Sequence, residues 1–577
     1  MVLIIVLVAI VMLTLAGYTF AQLMMAEREA AWAHGRAVQS RALVDSGVAW
    51  IEQQLAQPGG IEQAGGWHNN TTLFHSQLVV DADVPRDRGR FSVLAPNMQM
   101  GTINGVRYGL EDESGRLNLN TLLLIDPTWQ SLAAEAVGAT QASSGGLTFG
   151  SSSSGGSSSG GSMSGGSSGS SSSGTSSSSG GASGSSSSSS STPVTAEQAL
   201  LYLPGMTIDI ADAILDWLDP DDVPRTYGAE RDYYSSYNYA PKNGPFESVE
   251  ELLLVKGVTP QLLYGGDLDH NSSIGPGETT IGNMAASGPS SSSSSGSSAG
   301  GSSAGGSSAF SGSMNQGWSA YLTVYSCESN LRPDGQPKIN VNALDLQQLH
   351  QALASVLGAD IATFIISYRQ GKSVTGSQTT VSAAGKSPNF NLPGNTLLAS
   401  PLDLVGCKVQ VTFQGDQQAS VVNSPFDPTP STMNGYVGML LDNLTIVPSL
   451  RVPGRININC ASLPVLMTIP GMDPTTASMI LSSAQQTSGM QLGSNRNYPT
   501  WIYLEGLVSL DVMKQLMPYI TASGRVFRSQ VVGFFEEGGP TSRAEVVIDA
   551  TSRVPRLLLW RDMTHLGNGY GRAVLGP

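Results

Sequence analysis

The sequence predicts an α+β chain, and three observations carry that prediction. An uncharged apolar stretch at the amino terminus continues as an amphipathic helix, runs of strand length lie near both ends, and a threefold helical repeat lies between them. The order α, β, helical modules, β implies a discontinuous sheet packed on the amino-terminal helix, with the modules inserted into it.

The first element is the apolar stretch. From Met1 to Ala26 there is no charged residue, and Val, Leu, Ile, Met and Ala dominate. A helix of about 25 residues spans about 37 Å, enough for a hydrocarbon core of about 30 Å. A cleaved secretory signal has a basic start and a short apolar core. Here the basic start is missing and the apolar run is long, so 1–26 is predicted as a retained transmembrane helix. After Glu27, Arg28 and Glu29 there is no proline before Pro58. Ala33, Ala37, Val44, Val48, Ile51 and Leu55 recur at helical spacings, which makes 27–57 an amphipathic stem.

Strands come next. Residues 58–115 hold candidates at 91–94 and 107–110, 315–337 forms a short strand segment, and 409–413 is a further candidate. The closing segment, 525–577, holds 527–534, 544–548 and 556–560, with a hairpin around G-F-F-E-E-G-G-P-T-S-R.

The repeat starts with R-L-N-L-N at 116–120, K-I-N-V-N at 338–342 and R-I-N-I-N at 455–459. Each start leads to a helical stretch and then a turn. The turns are L-P-G-M-T at 203–207 (Pro204, Gly205), L-G-A-D at 357–360, and I-P-G-M-D at 469–473 (Pro470, Gly471). Proline and glycine stop the first helix and let the chain reverse into the second. A third short helix is read at 246–257 and 400–405. The first module therefore begins at 116–142 and resumes at 193–283. A second, degenerate module with strands covers 338–454, and a third covers 455–524. Two tracts of almost pure Ser and Gly, 143–192 and 284–314, offer no apolar surface to offset the entropy of ordering, and are predicted as disordered linkers.

These motifs carry a resemblance. The apolar helix continuing into a stem with a late D-S-G-V motif at 45–48 resembles the type IV pilin and pseudopilin stem. Most of that superfamily has a glutamate near the fifth mature position. The K family lacks it, and here the position is Ile5 and the first acidic residue is Glu27. At 201–264, D-W-L-D-P-D-D, G-A-E-R-D-Y-Y, N-G-P-F-E-S-V-E-E-L and V-K-G-V-T resemble segments of the type II secretion system minor pseudopilin K family. E-D-E-S-G-R-L-N-L-N at 111–120, V-F-R-S-Q-V-V and L-L-L-W-R extend the match over nearly the whole chain. Only the Ser/Gly tracts and parts of 375–450 fall outside it. No basic leader ending in Gly precedes Met1, which implies either a removed leader or a late-assigned start.

The resemblance implies a pseudopilin sheet on the stem and inserted modules of the sterile-alpha-motif-like type. It implies a subunit at the tip of the pseudopilus that initiates or caps assembly for protein export, with I- and J-type minor pseudopilins as partners. Ile5 and Glu27 would belong to the helix bundle of that assembly. The protein would sit in the inner membrane as a single-pass chain, with its bulk in the periplasm.

Asp216, Asp219, Asp221, Asp222, Glu230 and Asp232 crowd a segment broken by Pro220, Pro224 and Gly228. A solvated acidic loop is the simpler reading of these residues alone, although hard oxygen ligands on an irregular loop suit Ca²⁺. The K-family resemblance implies structural calcium in the helical region.

The alternative function is a membrane-anchored DNA receptor for uptake, because N-x-N starts and L-P-G-x turns also resemble helix-hairpin-helix domains. Those hairpins place a second glycine two residues after the first, and here Thr207, Asp360 and Asp473 occupy that slot. With Asp209, Asp212 and Asp216 following, and a formal net charge of −15, no nucleic acid is expected as a partner.

Catalysis finds little in the sequence. The six histidines (His34, His68, His75, His270, His350, His565) form no H-E-x-x-H, and Gly371-Lys372-Ser373 has Ile366 where a phosphate loop needs glycine. The chain is not expected to be an enzyme. Cys327, Cys407 and Cys460 allow at most one intrachain disulfide and suggest no zinc site.

Overall fold

The computed structural model describes residues 2–57, 66–99, 102–125, 195–272, 278, 317–376, 379–486 and 494–576. The linkers predicted at 143–192 and 284–314 lie outside them. The chain divides into two units, Met1–Asp126 with Val194–Pro577, and Pro127–Pro193. Every described residue belongs to the first.

The predicted anchor and stem are one helix, Val2–Ala56. Its amino-terminal part is long and apolar enough to cross a membrane and is covered by none of the described residues. The amphipathic stripe is shorter than predicted. Val44, Val48 and Ile51 are buried, but Ala33 and Ala37 are exposed. Among the described residues Arg36, 7% exposed, is the first buried on the helix, and before it Arg86 of the head lies over Trp32, which stays 46% exposed.

The helix lies on a seven-stranded sheet. Its strands run in the order Gln77–Val80, Gly89–Gln99, Val526–Phe535, Ser542–Asp549, Arg556–Asp562, with Thr102–Tyr108 beside the second and Glu111–Asp112 beside the third. All pairs are antiparallel. The predicted strands at 91–94, 527–534, 544–548 and 556–560 fall inside these elements. The one at 107–110 ends two residues early, at Tyr108. There the chain turns under the carbonyls of Trp67 and His68, so close that a Cβ on Gly109 would lie 2.3 Å from the His68 oxygen. Phe91, Val93, Phe527, Val531 and Val546 meet Val44, Val48 and Ile51 in the core between helix and sheet.

Gly47, in the D-S-G-V motif, has a packing reason. A Cβ there would lie 2.5 Å from Val531 Cγ1, and one on Gly533 would lie 2.3 Å from the Ser40 carbonyl. Two glycines on facing elements thus let helix and sheet approach closely, and Ser40 Oγ and Ser542 Oγ share a hydrogen bond of 2.7 Å across the seam.

The modules are inserted between Asp112 and Val526, so strands far apart in sequence pair side by side. Each repeat start is a two-residue strand paired in parallel with the strand that closes its module. Leu117–Asn118 pairs with Leu322–Thr323, Ile339–Asn340 with Leu444–Thr445, and Ile456–Asn457 with Ile520–Thr521. The N-x-N spelling has a local cause. The first Asn side chain (Asn118, Asn340, Asn457) accepts the amide two residues on, at 3.0 Å each time, forming an Asx turn. The second Asn then holds a distant backbone. Asn120 donates to Phe246 O and accepts from Phe246 N, Asn342 does the same with Leu398, and Asn459 donates to Arg496 O and Ala522 O.

Gly205, Gly358 and Gly471 sit at φ of 70°, 91° and 80°, the left-handed region that makes glycine the natural residue at all three reversals. The strands expected in the middle module form a four-stranded sheet in the order Thr380–Val381, Ser420–Asn423, Lys408–Val411, Lys372–Ser373, so the inserted modules are not all purely helical. One expectation needs correction. The predicted third helices are 3₁₀ turns, Val249–Leu254 and Pro401–Leu404. The third module has a counterpart, Trp501–Leu504, that the sequence pattern did not reveal.

The described elements on either side of each tract meet. Leu122–Ile125 packs on Ala196–Leu201, and Pro260–Tyr264 packs on Trp318–Ala320.

Candidate functional site

Asp216 and Asp219 lie at the end of the helix Ile208–Leu218, an amphipathic element whose inner face is Ile210, Ile214, Trp217 and Leu218. The irregular chain after it folds back through Gly228 and Ala229. Asp216 accepts hydrogen bonds from the amides of Arg225 and Ala229, and the Arg225 guanidinium reaches its Oδ1 at 2.8 Å. Gly228 is required here, since a Cβ would lie 1.8 Å from Asp216 Oδ2. Arg225 also holds one oxygen of Asp219. Asp216 is thus occupied as a loop fastener.

The six predicted ligands separate accordingly. Asp219, Asp221 and Glu230 each place a carboxylate oxygen within 4.8 Å of the others. Asp222 is engaged by Asn243 Nδ2 at 3.0 Å, and Asp232 stands exposed on the short helix Arg231–Tyr234. Oδ1 of Asp219 and both oxygens of Glu230 are buried without a hydrogen-bond partner, in residues only 2% and 4% exposed. Burial pushes Asp219 up to about 6. Burial, together with the neighbouring carboxylates Asp216 and Asp219, pushes Glu230 up to about 7. Buried carboxylates without donors are costly unless a cation faces them. Oxygens this close can share one coordination sphere, and hard carboxylate oxygens are the ligands a calcium ion takes.

A second acidic group lies outside the predicted set. Asp267, Asp269 and Glu278 also bring oxygens within 4.8 Å of one another. The amides of Asn271 and Ser272 hold Asp267, and those of Leu268 and Asp269 hold Glu278. Burial pushes Asp267 up to about 7. The available signal was D-L-D-H-N at 267–271 followed by Glu278, which matches positions 1, 3, 5 and 12 of an EF-hand loop. Ser272 replaces the usual glycine at position 6 and takes its left-handed conformation, φ 61°.

The turn residues take other roles. Pro204 O accepts the indole N–H of Trp318 at 2.8 Å, fixing the first turn to the end of its module. Gly205 and Gly471 make the reversals, and Pro470 is half-buried beside Gly471. In the third repeat Asp473 already accepts the amides of Thr475 and Thr476, which are the donors a DNA phosphate would need. Ile5 and Glu27 are exposed on the uncovered part of the helix.

Three distant motifs converge into one charged seam. Glu113, in E-D-E-S-G-R, is fully buried and takes Arg528, of V-F-R-S-Q-V-V, through Nε and Nη2. Arg528 Nη1 reaches Glu545 at 2.9 Å, Glu545 meets Arg561 of L-L-L-W-R at 3.3 Å, and Arg561 continues to Glu250 in the first module. Burial alone would raise Glu113, but Arg528 and Arg116 outweigh it and hold it below the ordinary carboxylate range. Glu545 is held down the same way by Arg528 and Arg561. The seam ties three sheet strands to the inserted modules.

Residues 175–264 match the family model for type II secretion system (T2SS), protein K. No curated protein matches the chain. The matched span contains the acidic loop, the Pro204–Gly205 turn and the Phe246 clamp described above, so this part of the chain is similar to protein K of the type II secretion system.

Proposed function

We propose that this chain is a minor pseudopilin at the tip of the pseudopilus, where it initiates or caps assembly for export across the outer membrane. The observation that carries this reading is the uncovered apolar helix clamped to a sheet that three modules interrupt, in a chain with a protein K match. An exposed apolar helix needs lipid or other helices around it. Its companions are I- and J-type minor pseudopilins, and the modules, of the sterile-alpha-motif-like type, ride on the head. Ile5, where most of the pilin superfamily has a glutamate, and Glu27 face those companions. The chain is a single-pass inner-membrane protein with its bulk in the periplasm. It works by packing and interface burial, without bond chemistry.

Calcium is structural in this reading. Asp219, Asp221 and Glu230 hold it, and the loop of Asp267, Asp269 and Glu278 offers a second place for the same ion. The ion neutralises carboxylates that otherwise face one another in a buried loop.

The test is co-purification of the full chain, in detergent, with co-expressed I- and J-type pseudopilins from the same genome. A stoichiometric complex is expected. A salt-sensitive complex with duplex DNA and no pseudopilin complex would replace this reading with the DNA-receptor alternative.

A further inference from the structure

The stem helix has no break between its apolar part and the head, so helix geometry fixes how high the head stands above the bilayer. At about 1.5 Å per residue, Arg28 lies about 3 Å, Trp32 about 9 Å and Arg36 about 15 Å past Ala26, the last residue of the uncharged run. The polar headgroup layer on each side of a bilayer is about 5–8 Å deep. Helical side chains lean toward the helix amino terminus, which lowers the Trp32 ring further toward that layer.

The part of the head that reaches lowest on the helix is the segment 81–88. Arg86 stacks over Trp32, 4.5 Å from the ring centroid, while Asp87 and the Arg86 carbonyl hold Arg36. Trp32 remains 46% exposed and Val84, just before the turn Pro85–Asp87, 52% exposed. The nearby acids are partly spent, with Asp87 on Arg36 and Asp81 on Arg88. Among the described residues neither Arg28 nor Arg86 has a carboxylate partner. Arg28 and Trp32 are four apart, on one face of the helix. Two guanidinium groups without a carboxylate partner among the described residues, one of them stacked on the ring, therefore accompany one exposed indole at headgroup height.

We propose that the head rests on the membrane before assembly, with Arg28 and Arg86 gripping lipid phosphate on either side of Trp32 and Val84 dipping among the headgroups. Guanidinium suits phosphate by charge and by its paired donors, and tryptophan is favoured at the membrane interface. Incorporation into a filament must then peel this foot off the lipid. The inference rests on the membrane anchoring of the chain.

The test places the full chain in vesicles of phosphatidylethanolamine and phosphatidylglycerol carrying a nitroxide on the headgroup. The Trp32 contribution is the fluorescence difference between wild type and Trp32→Phe. The expected result is loss of most of that contribution with headgroup nitroxide, much less loss with nitroxide deep in the acyl chains, and recovery in Val84→Asp/Arg86→Glu. Vesicle flotation separates the two premises. A chain that floats but whose Trp32 contribution survives headgroup nitroxide overturns the foot alone. A chain that does not float overturns the anchoring and the foot with it.

Discussion

Arg528→Met removes the centre of the charged seam. Glu113 then keeps only Thr323 and Arg116, whose Nη1 is 3.6 Å away, inside a fully buried position. Stripping one partner from a buried pair costs about 3–5 kcal/mol, because the remaining charge stays buried and uncompensated. Arg561→Met makes the contrast. Glu545 would still have Arg528, and the Glu250 side chain is 29% exposed, so that change is expected to cost only about 1–2 kcal/mol. The pH dependence has a definite sign. In the wild type Glu113 is held low, so its contribution is present at neutral pH and lost as pH falls below the ordinary glutamate range. In Arg528→Met burial dominates and raises Glu113, so the damage should be greater at pH 8 than at pH 5. Urea unfolding of the full chain in detergent, followed by intrinsic fluorescence, reads this region because Trp67 packs on Phe527 at 5.0 Å. Adding Glu113→Gln to Arg528→Met should recover part of the loss. An Arg528→Met chain within about 1 kcal/mol of wild type, or one less affected than Arg561→Met, would refute the seam as a stabilising element.

Further outcomes follow from the same geometry. Glu230 and Asp219 titrate above their unfolded values, so the metal-free fold binds extra protons and loses stability as pH rises from the ordinary carboxylate range to about 7. Melting with calcium and with chelator should therefore differ more at pH 8 than at pH 5, and an equal gap at both would count against the ion. Gly228→Ala should destabilise the first module by about 1–3 kcal/mol, since its Cβ would overlap Asp216; unchanged urea unfolding would contradict the close approach. Asn342→Ala removes both bonds to the Leu398 backbone and should cost about 1–3 kcal/mol, with limited proteolysis cutting near 398 if the clamp is real. Deleting 143–192 and 284–314 together should leave the protease-resistant core intact, because the flanking elements pack on each other. Loss of that core would show that the tracts are needed for folding.

The amino-acid sequence by itself determined the long helix, the strand segments of the head and the three repeat starts. Each is written in local periodicity or in adjacent residues. The uncharged run from Met1 to Ala26 needs no partner to be read, and glycine at 205, 358 and 471 announces a reversal wherever the chain lies. The acidic loop was legible as a composition. Which of its carboxylates converge was not, because the choice depends on Arg225 taking Asp216 and on the return of the chain past Gly228. The end of the stem stripe was equally hidden, since Ala33 looks as apolar as Val44 and only the packing of the head leaves the one exposed and the other buried. The joining of Glu113, Arg528, Glu545, Arg561 and Glu250 was decided by tertiary structure alone. Glu113 and Glu250 stand hundreds of residues from Arg528 and Arg561 and carry no mutual signal with them in sequence, while Arg528, Glu545 and Arg561 meet across neighbouring strands.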